Sequence, residues 1–282
     1  MATILTLKRR IKTAGNVSKT TKAMQMIAAS KLKKAQDAAV LSRPYVEKLG
    51  VLAKNLSAKI EKDNLHPYMK ENGTGNTLYI VISPDKGLSG GLVSNLTREI
   101  FQLPLNKNDL FITIGKKAEG AVFSLGKEVL ATFPFGTILP EFDTVYPVIK
   151  IINEYFLSGK VSAVKIISTK FTSVFTQTPG VNTVLPVKFE GELNHSNNGM
   201  LFEPNLDELL PSLLEHYIEM EIYQSLLENY ASEQAARMVA MKNATDNAND
   251  IIKELKLEYN KIRQEKITNE ILDIIGGQFA YA

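Results

Sequence analysis

The sequence predicts an α/β protein in which two long helices, one at each end of the chain, pair as a coiled coil beside a central α/β domain. Three observations carry that prediction. Apolar residues recur at alternating steps of three and four through both ends, strand-like and helix-like segments alternate between them, and the two ends carry opposite charge. At 282 residues with 44% hydrophobic content the chain is long enough and apolar enough to bury a substantial core.

The first segment, residues 1–59, is basic. Residues 1–48 hold 11 Lys or Arg against Asp37 and Glu47, a balance of +9, although the whole chain is only +3. Its Ser/Thr-containing start has the composition of a transit peptide, but helical periodicity runs straight through it and predicts mature structure. The seam is Ile4, Leu7, Ile11, Ala14, Ser18, Thr21, Gln25, Ala28, Leu32, Ala35 and Ala39, eight of them apolar. Arg43-Pro44 is expected to kink or end the helix, because proline removes a helical hydrogen bond.

A linker follows at 60–76, and the central domain is placed at 76–190. "LYIVIS" (78–83), "LFITIG" (110–115), "EVLATF" (128–133) and "VSAVKIISTKF" (161–171) read as strands. Helices are expected at 89–101, 116–124 and 144–158. Alternation of this kind predicts a mostly parallel sheet, with "TQTPGVNTVLPVKF" adding a turn and an antiparallel edge strand. "NHSNNG" (194–199) reads as an exposed loop.

The last segment, residues 205–282, is acidic, with 7 basic against 14 acidic side chains. Its seam runs through Leu206, Leu210, Leu213, Tyr217, Met220, Gln224, Leu227, Ala231, Gln234, Met238, Met241, Thr245, Ala248, Ile252, Leu255, Tyr259 and Ile262. Only Gln224, Gln234 and Thr245 interrupt the apolar row. Neither glycine nor proline occurs from Ser212 to Ile275, which at 1.5 Å per residue predicts a rod of roughly 95 Å. Such a rod must reach beyond its own domain. Asn243, Thr245, Asp246, Asn247, Asn249 and Asp250 are mediocre helix formers and together cost about 3–4 kcal/mol relative to alanine. Burial of Ile252 and Leu255, at about 1.5–3 kcal/mol each, offsets this. The helix therefore needs a partner, and the oppositely charged first helix supplies one, antiparallel or parallel.

Two apolar stripes remain without a mate. On the first helix Val17, Met24 and Ile27 lie off the seam; after Ile262, Lys266, Asn269 and Asp273 fall on it while Ile267, Ile271, Ile274 and Ile275 form a shifted row. These stripes either fold back on the central domain or are enclosed by another protein, and the second reading is preferred.

Chemistry is sparse. "SPDKGLSGGL" (83–92) follows a strand and precedes a helix, the place where a glycine loop cradles phosphate, but it matches neither G-x-G-x-x-G nor G-x-x-x-x-G-K-[ST]. A tight, closely packed turn is the better reading. His66, His195 and His216 are scattered, and no zinc or Ser/His/Asp pattern occurs. No catalytic, cofactor or metal residues are assigned. The absence of cysteine excludes a disulfide framework and fits a reducing compartment. No stretch reaches the roughly 18 consecutive apolar residues of a membrane span.

"TKAMQMIAASKLKKAQDA" (21–38), "SPDKGLSGGL" (83–92), "SEQAARMVAMKNATDNA" (232–248) and "LEYNKIRQEKITNEILDII" (257–275) closely resemble the gamma subunit of the F-type ATP synthase, and the resemblance runs end to end. It includes most of that family's carboxyl-terminal signature, here Ile267, Thr268, Glu270, Asp273 and Gly277; Gln278 stands where alanine is usual. The resemblance implies an antiparallel coiled coil plus a central Rossmann-like α/β domain. It also implies a rotor shaft inside a ring of three alpha and three beta subunits, with the α/β domain near the epsilon subunit and the c-ring of Fo. Proton flow through that ring would turn the shaft, and ATP hydrolysis would drive pumping in reverse. By the same resemblance Lys22, Met24 and Arg237 meet an acidic beta-subunit loop, while Gln264, Thr268, Glu270 and Asp273 sit in the region of the shaft held by beta loops. A non-catalytic subunit, peripheral to a bacterial inner membrane on its cytoplasmic face, is implied. The alternative is a coiled-coil nucleic-acid binder using the basic first helix, but residues 1–44 lack any aromatic side chain to stack on bases.

Overall fold

The computed structural model describes residues 3–57, 66–70, 73, 75–188, 203 and 205–280, with the backbone alone at 206, 207 and 273–280. Most of the expected 60–76 linker, the 194–199 loop and His195 lie outside the described residues. The elements in chain order are α1 (Ile4–Ser57), β1 (Thr77–Ile82), α2 (Leu92–Gln102), β2 (Leu110–Ile114), α3 (Lys116–Ser124), β3 (Glu128–Phe133), α4 (Tyr146–Leu157), β4 (Ala163–Phe171), β5 (Gln177–Leu185) and α5 (Leu206–Ala280). The chain divides into two compact units, Ala29–Arg237 and a second one made of Met1–Ala28 with Met238–Ala282.

In the larger unit the sheet order is β3-β2-β1-β4-β5. The first four strands run parallel, and β5 closes one edge antiparallel to β4. Central strand β1 is buried at every residue, as a parallel strand covered on both faces must be. Tyr79 and Val81 point to one face and join Leu96 and Ile100 of α2, Phe111, and Ala118 and Val122 of α3 in a single apolar cluster. Alternate residues Leu78, Ile80 and Ile82 are equally buried.

The expected end of the first helix at Arg43-Pro44 is not observed. α1 continues thirteen residues past Pro44, which lies inside it. The reason is packing: Val46, Leu49, Ala53 and Leu56 carry the apolar stripe onward and are all buried, and Val46 and Leu49 pack with Met220 of α5. Burial of such side chains, at about 1.5–3 kcal/mol each, outweighs the ~3 kcal/mol that an interior proline costs. Gly50 permits close approach here, since a Cβ at this position would lie 3.2 Å from the Tyr217 ring.

The two long helices are antiparallel in each unit. In the larger one Ser42 Oγ donates to Gln224 Oε1, and Arg43 pairs with Glu228 at 2.9 Å. In the smaller one Thr21 and Thr245 hydroxyls meet at 2.7 Å, and Ser18 donates to Asn249 Oδ1 at 2.7 Å. Rising numbers on α1 meet falling numbers on α5. Two of the three polar interruptions of the α5 seam are thus matched by polar partners on α1. Every seam position of α1 from Ile4 to Ala39 is at least partly buried, as is every one of α5 from Leu210 to Ile262.

Candidate functional site

An open α/β sheet usually binds its ligand where the strand order reverses, in the crevice beyond the carboxyl ends of the flanking strands. Here that point lies between β1 and β4. The register pairs Val81 with Ile167, so Thr169 stands level with Ser83, where β1 has already ended. α5 occupies this place. Asn229 Oδ1 accepts the Thr169 N–H at 3.3 Å, and Ser232 Oγ donates to the Thr169 carbonyl at 3.1 Å. Asn229 and Ser232 are fully buried. From His216 to Arg237 no residue of α5 is exposed, which explains why its sequence is apolar beyond a single stripe.

The 83–92 loop is a packed turn, as its spacing predicts. Asp85 acts as its built-in anion. One carboxylate oxygen accepts the Lys116 N–H at the start of α3 at 2.9 Å and the Phe135 N–H at 3.4 Å, and the other accepts the Gly136 N–H at 2.8 Å. Ser83 Oγ accepts the Ala118 N–H at 2.6 Å. The backbone approaches so closely that a Cβ on Gly115, whose φ is +101°, would fall 2.0 Å from the Ser83 carbonyl oxygen. A helix N-terminus attracts anions, and this one is already served by a carboxylate of the chain itself.

At the loop apex Leu88 takes a left-handed conformation, φ 65°, with its side chain 62% exposed. That backbone state costs a leucine roughly 1–2 kcal/mol. Arg237 holds the apex: its guanidinium donates to the Gly87 carbonyl at 3.3 Å and to Glu233 Oε1 at 2.5 Å. Burial pushes the Glu233 carboxyl up, and Arg237 opposes the shift. The strained apex was not legible in the sequence, because Leu88 is an ordinary residue and only its φ marks it.

The sequence-predicted partner-binding residues do not converge on one cavity. Lys22 is exposed and donates to Gln25 at 3.3 Å. Met24 is 38% exposed, between exposed Val17 and Ile27. Gln264 and Thr268 are exposed on one stretch of α5, where the Thr268 hydroxyl donates to the Gln264 carbonyl at 2.9 Å. Glu270 is exposed and pairs with Lys266 at 3.5 Å. Asp273 lies in the helix, and its side chain is outside the described residues. Beyond Ile262 every described side chain is exposed, including Ile267, Ile271 and Leu272. Among the described residues no group of three His, Cys, Asp or Glu is arranged to hold a metal.

A family model described as ATP synthase matches residues 3–280. A protein of Dehalococcoides mccartyi called ATP synthase gamma chain is 39% identical over 285 residues, covering 100% of both chains. The chain belongs to the ATP synthase gamma chain family. A gamma chain of Ruthia magnifica is also 39% identical, covering 97% of this chain and 98% of that one. One from Legionella pneumophila is 36% identical over 99% and 100%. Among solved structures, a chain in the OSCP/F1/c-ring assembly of Euglena gracilis mitochondrial ATP synthase superposes with a TM-score of 0.72 at 19% identity, over 98% of this chain and 94% of that one. The fold is shared even where identity is low. Nothing in these comparisons favours a nucleic-acid binder.

Proposed function

We propose that the chain is the central stalk of an ATP synthase and couples rotation of a membrane c-ring to catalysis elsewhere in the complex. The observation that carries this reading is the bare apolar end of α5. Ile267, Ile271 and Leu272 are about half exposed on a stretch of α5 where every described side chain beyond Ile262 is exposed. A soluble protein rarely leaves such a stripe to water, so other subunits cover it.

A ring of three alpha and three beta subunits is the enclosure the family implies, with the epsilon subunit and the c-ring at the α/β domain. Two unlike helices have no three-fold symmetry, so they cannot touch three beta subunits alike. Each catalytic site is then biased to a different conformation, and turning the shaft exchanges those states in order. The chain contributes contacts and torque, with no active site of its own. Lys22 and Met24 face an acidic beta-subunit loop. Arg237 belongs to the same set of contacts with the acidic beta-subunit loop, and it also holds the Gly87 carbonyl beside the Leu88 apex. Gln264, Thr268, Glu270 and Asp273 are gripped by beta loops. No helix of the described residues is long and apolar enough to cross a membrane, and attachment to the cytoplasmic face of a bacterial inner membrane comes through partners.

The test is co-expression with alpha and beta subunits and subunit counting, where one copy per three beta chains is expected and any other ratio sinks the proposal. Met24→Lys in the reconstituted complex places a second cation beside Lys22. Fewer protons pumped per ATP hydrolysed are expected, whereas unchanged coupling removes Met24 from the site.

A further inference from the structure

We infer that the cleft at the carboxyl ends of β2 and β3 is a binding site for a small amphipathic organic cation. A cavity of about 410 Å³ opens there, within the roughly 300–1,000 Å³ of ligand pockets. Phe133, Phe135, Leu139, Val148 and Leu226 form an apolar interior, and Glu141 and Thr144 are the polar side chains in its lining. One acid at the edge of an apolar chamber is the arrangement that orients a single ligand with a hydrophobic body and one charged end.

The chamber is held open from behind. Pro134, Pro140 and Pro147 line it with fixed φ. The 134–141 wall is pinned by side chains from three separate elements. Asp85 accepts the N–H groups of Phe135 and Gly136. Lys31 and Tyr230 both donate to the Thr137 carbonyl, at 2.5 and 3.2 Å. The Tyr223 hydroxyl donates to the Pro140 carbonyl at 3.3 Å. A wall fixed this way cannot fold inward to fill the space, so a ligand meets a prepared surface and little ordering opposes binding.

The charge of the occupant follows from Glu141. Its side chain is exposed at the rim, and no Lys, Arg or His among the described residues forms an ion pair with it. Asp143 in the next turn adds negative charge. The amine of Lys31, the cation that reaches this wall, is engaged on the Thr137 carbonyl. An ammonium group on the ligand would complete the rim, while its apolar body buries against Phe135 and Leu226.

The experiment uses the full chain and three probes of one shape: 2-(1-naphthyl)ethylammonium, the neutral 2-(1-naphthyl)ethanol, and 1-naphthylacetate. Binding is read by calorimetry and saturation-transfer NMR. One saturable site is expected, with the cation bound about five-fold more tightly than the alcohol and the acetate weakest. Glu141→Gln should abolish the preference for the cation and leave the alcohol within about two-fold. Thr144→Trp, at an exposed lining position, should block all three probes while the chain still melts cooperatively, its midpoint lowered only slightly by loss of the hydroxyl bond to the Glu141 carbonyl. Absence of saturable binding at millimolar probe, binding that survives Thr144→Trp, or a cation preference unaffected by Glu141→Gln would each overturn the assignment.

Discussion

Asp85→Ala tests the claim that the 83–92 loop is held by the chain's own carboxylate. Two of its three hydrogen bonds are short, at 2.9 and 2.8 Å, and the third is long, at 3.4 Å. Bonds to a charged acceptor contribute about 1.5–3 kcal/mol when well buried, and less here because the Lys116 N–H is exposed. The charge adds about 0.3–1 kcal/mol at the α3 N-terminus. Together these give an expected loss of about 2–4 kcal/mol for alanine, and about half that for Asp85→Asn, which keeps one acceptor. Urea denaturation of the full chain reads the change as a shift in midpoint at constant slope. Hydrogen exchange localises it, with faster exchange expected at Lys116 and Gly136. A loss below about 0.5 kcal/mol for the alanine variant would refute the reasoning. Saturable binding of inorganic phosphate or ATP to this loop in the wild-type chain would refute it equally.

Gly115→Ala should cost more than about 4 kcal/mol or prevent soluble expression, since φ and the Ser83 carbonyl both forbid a Cβ. Gly120→Ala in the same helix, with open space around the new methyl, should stabilise by about 0.5–1 kcal/mol in the same denaturation assay. The Thr21 and Thr245 hydroxyls meet at 2.7 Å, and each also lies within reach of a carbonyl of its own helix, at Val17 and Met241, so one hydroxyl donates across the pair while the other donates its single proton to its own helix. A double-mutant cycle with valine should therefore show a coupling of about 1 kcal/mol, with the double variant close to wild type; strict additivity would contradict the shared bond. Glu221 is held above the usual carboxylate range, first by burial and also by Glu228 nearby, against hydrogen bonds from Tyr217 and Asn182. Its raised folded value means that the unfolded chain releases this proton first. Stability is full below the ordinary glutamate range and declines as pH rises through the folded value. Glu221→Gln should thus gain on wild type in thermal melts as pH rises above the ordinary glutamate range, and parallel pH profiles would exclude the effect.

The seams were readable because burial of one helical face leaves a strict step pattern, whereas the pairing of polar interruptions across it, such as Thr245 with Thr21, depends on a direction and register that the pattern left open. The strands were readable for the same reason: β1 is apolar from Leu78 to Ile82 because both of its faces are buried. Pro44 misled because local propensity says nothing of Val46 and Leu49 packing further on. The pinned 134–141 wall was invisible, since it depends on Lys31, Asp85, Tyr223 and Tyr230, brought together only by the fold. Met24 and Ile267 are a third kind of case. The sequence marks them as lacking a home within the chain, and the structure leaves them uncovered.

The stretch of α5 that fills the crevice beside β4 has a metabolic consequence. A nucleotide could enter that crevice only by expelling fully buried Asn229 and Ser232 and breaking their bonds to Thr169. That crevice is therefore closed to ATP and ADP for as long as α5 stays seated in it.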